Sequence, residues 1–296
     1  MSSTAASMLS SKTCVVTGAT SGIGEATAQG LAALGATVVV HGRDASRGRH
    51  TLERIERATG SRSVRFLQAD LASLAQVRRL AGEIRSSLPR LDILVHNAGL
   101  ACAHRSLTTD GYERTFAVNH LAPFLLTQLL AAPLAQSPAG RIVVVSSEAH
   151  RGAQLDFEDL MLARRYGQMR AYARSKLANL LFTRALARRL TGTAVTCNAL
   201  HPGVVRTGIF REAPAFLRGI LGSIGRVLLL PPEKGARTSL YLATSDEAAG
   251  RSGGYYISCK RTQPSEAALD DAAAERLWEV SEQLAGAMAV QAALRP

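Results

Sequence analysis

Lysine is nearly absent from a strongly basic chain. Of 35 basic side chains in 296 residues only Lys12, Lys176, Lys234 and Lys260 are lysine, and the net charge is +12. Aromatic residues make up just 5%. The arginines are spread along the whole chain with no dense basic run. A nucleic-acid surface concentrates its charge, so that class of partner is not expected. Four cysteines (Cys14, Cys102, Cys197, Cys259) are scattered, with no CxxC or Cys/His cluster. No metal site is therefore expected, and the thiols read as reduced ones in a cytoplasmic protein. No apolar run reaches the roughly 20 residues that span a bilayer, so no integral membrane contact is expected. The stretch 1–11 is uncharged and rich in Ser, Thr and Ala. It lacks the basic start and apolar core of a signal peptide and reads as a disordered tail.

What the chain does have is a 47% hydrophobic content arranged in an alternating pattern. Short β-rich runs, most of them continuously apolar, fall at 13–17, 37–41, 64–68, 93–96, 141–146, 195–199 and 255–258. Helical patterns lie between them near 22–34, 45–59, 73–87, 111–135, 170–190 and 233–244. Strands that are apolar throughout are covered on both faces, as in a parallel sheet with crossover helices. The fold expected is a single α/β domain over 12–287, a Rossmann-type, doubly wound, seven-stranded parallel sheet with helices on both faces. Ligands bind such sheets at the carboxyl ends of the strands. Residues 208–232 break the alternation. They carry Ile209, Phe210, Phe216, Leu217, Ile220, Leu221 and Ile224, and read as a lid or apolar pocket wall, with a membrane-surface or subunit contact as the alternative. A helical pattern over 265–287 packs on the core, and 288–296 is a tail.

One of the scarce lysines stands four residues after a tyrosine, in Tyr172-Ala173-Arg174-Ser175-Lys176. On a helix these positions share a face, roughly 6 Å apart. An ammonium about 4 Å from a phenol, at an effective dielectric of about 20, attracts the phenolate by roughly 4 kcal/mol. That would draw a tyrosine pKa from ~10 toward 7, where it serves as a general acid or base. Tyr256 and Lys260 repeat the spacing, but behind Gly253-Gly254 they read as one strand, ~13 Å apart, and as structural.

Other motifs cluster at strand ends. The first strand runs into Thr17-Gly18-Ala19-Thr20-Ser21-Gly22-Ile23-Gly24. Glycines at a strand-to-helix turn let backbone amides approach a pyrophosphate. The second strand ends in His41-Gly42-Arg43-Asp44. An acid at the Gly42 position would favour NAD, whereas a nearby arginine accommodates a 2′-phosphate. NADP(H) is the expected cofactor. The third strand ends in Asp70-Leu71, where Asp70 either meets the adenine or caps a helix. The fourth ends in Asn97-Ala98-Gly99, the fifth in Ser146-Ser147, and the sixth leads into His201-Pro202-Gly203-Val204-Val205-Arg206-Thr207. His104, His120, His150 and His201 lack metal-ligand spacing. His201 reads as a loop or packing residue, and His150 as packing or pocket lining.

These residues together resemble the short-chain dehydrogenase/reductase family, over roughly 12–260. The match rests on TGATSGIG at 17–24, NAG at 97–99, Asn119, Ser147, Tyr172-x-x-x-Lys176, and Pro202-Gly203 with Thr207, all in family order. The stretches at 146–150, 176–179, 200–204 and 276–279 are similar to the retinol-dehydrogenase-like branch. So is the 25-residue separation of Ser147 from Tyr172, wider than in many members.

The resemblance implies that Tyr172 is the general acid or base and that Lys176 lowers its pKa and grips the nicotinamide ribose. It further implies that Ser147 positions the substrate oxygen, that Asn119 holds a water in a proton relay, and that Thr207 contacts the carboxamide. Gly18, Thr20, Ser21, Gly22, Ile23, Gly24, Arg43, Asp70, Leu71, Asn97, Ala98, Gly99, Pro202, Gly203 and Val205 would line the cofactor. The expected activity is reduction of a lipophilic ketone or aldehyde, or oxidation of the alcohol, in a homodimer or homotetramer, with a capped monomer as the alternative. NAD-dependent alcohol oxidation and a catalytically idle dinucleotide sensor are the competing readings.

Overall fold

A computed structural model describes residues 8–204 and 230–286. Val205, Thr207, most of the expected lid and the tail 288–296 lie outside the described residues. Described structure begins inside the expected N-terminal tail. Leu9 is buried, and its amide donates to the Leu34 carbonyl at 2.9 Å.

Seven parallel strands form the sheet: β1 (Thr13–Val16), β2 (Thr37–Gly42), β3 (Val64–Gln68), β4 (Ile93–His96), β5 (Arg141–Val145), β6 (Thr196–His201) and β7 (Tyr255–Ile257). An eighth, β8 (Lys260–Thr262), pairs antiparallel with β7, and the order is β3-β2-β1-β4-β5-β6-β7-β8. The central strands are buried on both faces, all four residues of β4 among them, whereas edge strand β3 is only half-buried. The order reverses between β1 and β4, which opens a crevice at their carboxyl ends.

The eighth strand corrects one expectation. Ser258 and Cys259 adopt φ of 50° and 64°, the left-handed pair that closes a two-residue hairpin. Tyr256 and Lys260 therefore sit on facing strands rather than along one, with Tyr256 opposite Arg261 and Ile257 opposite Lys260. Tyr256 is nevertheless a core residue. Nothing in its Tyr-x-x-x-Lys spelling signals the turn, because neither Ser nor Cys is a habitual positive-φ residue.

Helices α1 (Gly22–Ala33), α2 (Ala45–Thr59) and α3 (Leu74–Ser87) follow the first three strands. The pattern at 111–135 is not one helix. It divides into α4 (Arg114–Phe116), a π turn at Ala117–Leu121, α5 (Ala122–Leu129) and α6 (Ala131–Ala135). Glu113 starts this run, its carboxylate accepting from the Thr115 and Phe116 amides at 2.8 and 2.7 Å. Then come α7 (Gln168–Arg189), α8 (Pro232–Thr244) and α9 (Asp271–Ala285). One core joins the sheet to α3, α5, α7 and α9. The other joins its opposite face to α1, α2 and α8. Strand ends and helix starts thereby come to one rim.

Candidate active site

The rim opens on a cavity of ≈ 360 Å³ lined by Gly18, Thr20, Ser21, Gly22, Ile23, Arg43, Asp70, Leu71, Asn97, Ala98 and Gly99, all expected from the sequence. His41, Arg47, Leu100, Ala101, Cys102, Arg114 and Val118 line it as well, and the sequence motifs assign none of them to the cofactor. The glycine turn has a packing reason of its own. Gly18 sits at φ +63°, and a Cβ there would come within 2.7 Å of the Ala98 Cα. Asn97 ties the turn down, its Nδ2 donating to the carbonyls of Thr17 and Gly18 at 2.9 and 3.1 Å. The Asn97 side chain thus clamps the loop.

His41 does similar work from β2. Its Nδ1 accepts from the Gly18 amide at 3.3 Å, so Nε2 carries the hydrogen and donates to the Ala69 carbonyl at 3.1 Å. Burial pushes its pKa down to about 4, which keeps the ring neutral at working pH. The only signal in the sequence is its place at a strand end, one residue before Gly42.

The amide-rich start of α1 and two guanidiniums on one wall suit a dinucleotide phosphate. Arg47 lies in the first turn of α2, four residues after Arg43, its guanidinium 3.4 Å from the Thr20 carbonyl. Asp70 does not cap α3; Ser73 does, accepting from the Gln76 amide. Asp70 instead accepts from the Ala72 amide at 2.9 Å and faces Arg114 at 4.0 Å.

Ser147, Tyr172, Lys176 and Asn119 do not line this cavity; they meet beside it, behind Gly99 and Leu100. The Tyr172 hydroxyl is hydrogen-bonded to Ser147. Ser146 points the other way and donates to the Lys176 carbonyl at 2.8 Å, as the alternation of a strand requires. Lys176 is buried, and its Nζ donates to the Val145 carbonyl at 2.9 Å. Asn119 Oδ1 accepts from the Leu100 amide, and Nδ2 donates to the Leu100 carbonyl and to Ser175 Oγ, all at 2.9 Å. Gly99 joins the two groups, since a Cβ there would lie 3.4 Å from Lys176 Nζ and 3.5 Å from Asn119 Oδ1.

Electrostatics depart from the expectation for Tyr172. Burial raises its pKa above the ordinary tyrosine value, and the bond to Ser147 opposes this. Lys176 itself is pushed down to about 8 by desolvation. Its ammonium lies 5.5 Å from the Tyr172 ring centroid and is held by a backbone carbonyl. Spacing predicted the neighbour correctly but left out the cost of burying both groups.

Pro202 and Gly203 follow β6 at the same rim. Gly203 has φ +86°, and the Leu230 amide donates to the Val204 carbonyl at 2.9 Å, which brings the two described ends of the chain together there. Val205 and Thr207, expected on the cofactor, lie outside the described residues. The segment between Ser147 and Tyr172 forms a side wall. Tyr166 donates to the Cys102 carbonyl at 2.8 Å and Gln168 to the Ala101 carbonyl at 2.9 Å.

A strand-turn-helix dinucleotide cradle facing a Ser-Tyr-Lys group defines a class of oxidoreductase, and comparison with known proteins agrees. The family model of the short chain dehydrogenases matches residues 12–217, and the chain belongs to that family. Within it the chain is retinol-dehydrogenase-like. It is 46% identical to bovine dehydrogenase/reductase SDR family member 13 over 94% of this chain and 74% of that protein. It is 40% identical to human retinol dehydrogenase 14 over 94% of this chain and 88% of that protein.

Among solved structures, an uncharacterized protein from Mycobacterium paratuberculosis superposes with a TM-score of 0.75 at 36% identity, covering 97% of this chain and 98% of that one. A short chain dehydrogenase from Escherichia coli CFT073, complexed with NADPH, gives 0.68 at 28% identity, covering 86% and 99%. Among the described residues no helix is long and apolar enough to cross a membrane.

Proposed function

We propose that the protein is an NADP(H)-dependent oxidoreductase that interconverts a lipophilic ketone or aldehyde and its alcohol, with carbonyl reduction the favoured direction. The observation that carries this is the Tyr172 hydroxyl bonded to Ser147, with Lys176 buried nearby, next to the cavity at the glycine turn. The bound cofactor supplies the hydride. Ser147 and Tyr172 together hold the substrate oxygen, and Tyr172, protonated at neutral pH because burial raises its pKa, delivers the proton. Lys176 keeps a positive charge beside the developing phenolate, and Asn119 fixes the Leu100 backbone at the cavity wall.

Preference for NADP(H) is supported by Arg43 and Arg47 on the cavity wall and by the missing acid at Gly42. The E. coli relative solved with NADPH points the same way. A Cβ at Gly42 would meet Thr20 Cγ2 at 2.5 Å, so introducing an acid there tests sterics as much as charge. The cleaner variants are Arg43→Ala and Arg47→Ala. Each removes a charged hydrogen bond to phosphate worth about 1.5–3 kcal/mol. Apparent affinity for NADPH should fall roughly 10- to 100-fold per variant while that for NADH holds.

A lipophilic substrate is supported by the apolar residues of 208–232, which lie almost wholly outside the described residues. Met169, exposed one turn before Tyr172, supports it too. NADPH oxidation followed with a panel of aromatic and aliphatic carbonyls tests the reading. Cofactor binding with no turnover on any of them would instead support a dinucleotide sensor.

A further inference from the structure

The family match ends at residue 217, yet the chain beyond it reaches back to the catalytic side chains through two buried histidines. His150 stands three residues after Ser147. Its Nε2 lies 3.1 Å from the Ser265 amide and its Nδ1 2.6 Å from the Ser147 carbonyl. An amide N–H only donates, so Nε2 is the bare nitrogen, and Nδ1–H donates to the Ser147 carbonyl. The ring is fully buried and meets Tyr255 edge-on at 5.1 Å. Tyr255 in turn donates to Glu148 at 2.8 Å.

His120 directly follows Asn119 inside the π turn. Its Nε2 lies 2.8 Å from Ser281 Oγ on α9. That hydroxyl spends its hydrogen on the Leu277 carbonyl at 2.6 Å, so His120 Nε2–H is the donor. The ring packs near Phe116, Phe124 and Phe182 at centroid distances of 5.0, 6.3 and 6.2 Å. Its Nδ1 has no hydrogen-bond partner.

An imidazole is an expensive filler for such places. For His120, burial with an unsatisfied nitrogen is costly, and a phenylalanine would pack among Phe116, Phe124 and Phe182 without that penalty. What the imidazoles add is a directed bond that a phenyl ring cannot make. Both bonds run from a turn that carries a catalytic residue to the same C-terminal unit, 260–286.

We propose that this C-terminal unit is part of the catalytic machinery: through Ser265 and His150 it positions Ser147, and through Ser281 and His120 it positions the π turn that carries Asn119. The inference rests on the reading of Ser147, Tyr172, Lys176 and Asn119 as the reductive site. His150, His120, Ser265 and Ser281 are positioning residues in it.

The test uses the full-length chain and three variants. His150→Phe keeps the ring and deletes both bonds; His150→Asn restores a donor near the Nδ1 position; Ser281→Ala deletes the acceptor on α9. Misplacement of catalytic groups by about 1 Å costs on the order of 100-fold. His150→Phe should lower kcat roughly 10- to 100-fold with NADPH affinity unchanged, His150→Asn should recover most of that loss, and Ser281→Ala should lower kcat several-fold. Amide hydrogen exchange should speed up at 147–152 in His150→Phe and at 117–122 in Ser281→Ala.

Variants that lose melting temperature but keep kcat, or an Asn variant no better than Phe, overturn the proposal. If the parent protein reduces no carbonyl, the reading of the site fails and exchange alone judges this inference. Faster exchange confined to the two catalytic turns upholds it, and exchange altered uniformly or not at all overturns it.

Discussion

Tyr172 and Lys176 illustrate how burial reverses a simple Coulomb argument. Both groups are taken out of water, so each is biased toward its neutral form. Tyr172 is held protonated, the form a reductase needs at the start of its cycle. Lys176 is lowered to about 8 and is the group that titrates near physiological pH. It bears its charge below that pH and loses it above. For carbonyl reduction, kcat/KM should therefore be level on the acid side and fall as pH rises through about 8. A profile flat to pH 10 would remove Lys176 from the mechanism. The planar, wider guanidinium of arginine cannot reproduce the compact ammonium that is buried and donates to the Val145 carbonyl. Lys176→Arg should thus be nearly as inactive as Lys176→Met, which gives a physical reason for lysine at this position in so arginine-rich a chain. Tyr172→Phe should cost roughly 10²- to 10⁴-fold in kcat, the range for loss of a positioned acid, with NADPH affinity nearly intact. Substantial turnover by that variant would show that the proton comes from elsewhere.

Elements were legible where one force dominated. Most of the seven parallel strands are continuous apolar runs, and the observed boundaries match to within a residue or two, because burial on both faces fixes the central ones. Helix α2 is bounded by Asp44, which accepts from the Arg47 amide, and by the left-handed Gly60, both ordinary cap residues. Two features stayed hidden. The π turn at Ala117–Leu121 has no local spelling, since it is set by Asn119 bonding across to Leu100 and Ser175 and by His120 reaching α9. The β7–β8 hairpin is masked by Ser258 and Cys259, which hold left-handed angles at a cost of roughly 1–2 kcal/mol each. That cost yields a prediction. The double substitution Ser258→Asn with Cys259→Gly installs the Asn-Gly pair that such a turn favours. It should raise the unfolding free energy by about 1 kcal/mol or more, read from urea denaturation. Cys259 also meets Thr238, its amide donating to Thr238 Oγ1 at 3.2 Å, and glycine keeps that amide. Unchanged or lower stability would mean that the turn is not strained.

At the scale of the whole molecule, acid should be the chain's weak point. His41, His96 and His120 are buried in different parts of the fold and have their pKa values lowered by desolvation to about 4, 3 and 3. His41 accepts from an amide, and His96 meets Thr127 at 2.7 Å with its other nitrogen unpartnered. None can take up a proton without a buried charge. In the unfolded chain the same residues bind protons near 6.5. Between those limits the unfolded state holds more protons than the folded one, so stability rises with pH and is lost as pH falls. Each fully engaged histidine contributes a slope of about 1.4 kcal/mol per pH unit, about 4 kcal/mol per unit for three. Asp92 adds to the loss at lower pH. Its carboxylate accepts from Lys12, Ser137 and the Thr13 amide at 3.0, 2.8 and 3.0 Å, and its pKa is lowered by these partners against the opposing effect of burial. A domain with a total stability of roughly 5–15 kcal/mol should then unfold between about pH 5 and 4. Urea titrations at intervals from pH 7.5 to 4.5 measure the slope directly. Below pH 6 it should reach at least the three-proton value, since desolvation also lowers the pKa of His150 and His201, and in His120→Phe it should fall by about one proton's worth, 1.4 kcal/mol per unit. An unfolding free energy that stays level from pH 6.5 to 5 would mean that these rings take up protons in the folded protein and that their burial is not what the desolvated pockets imply.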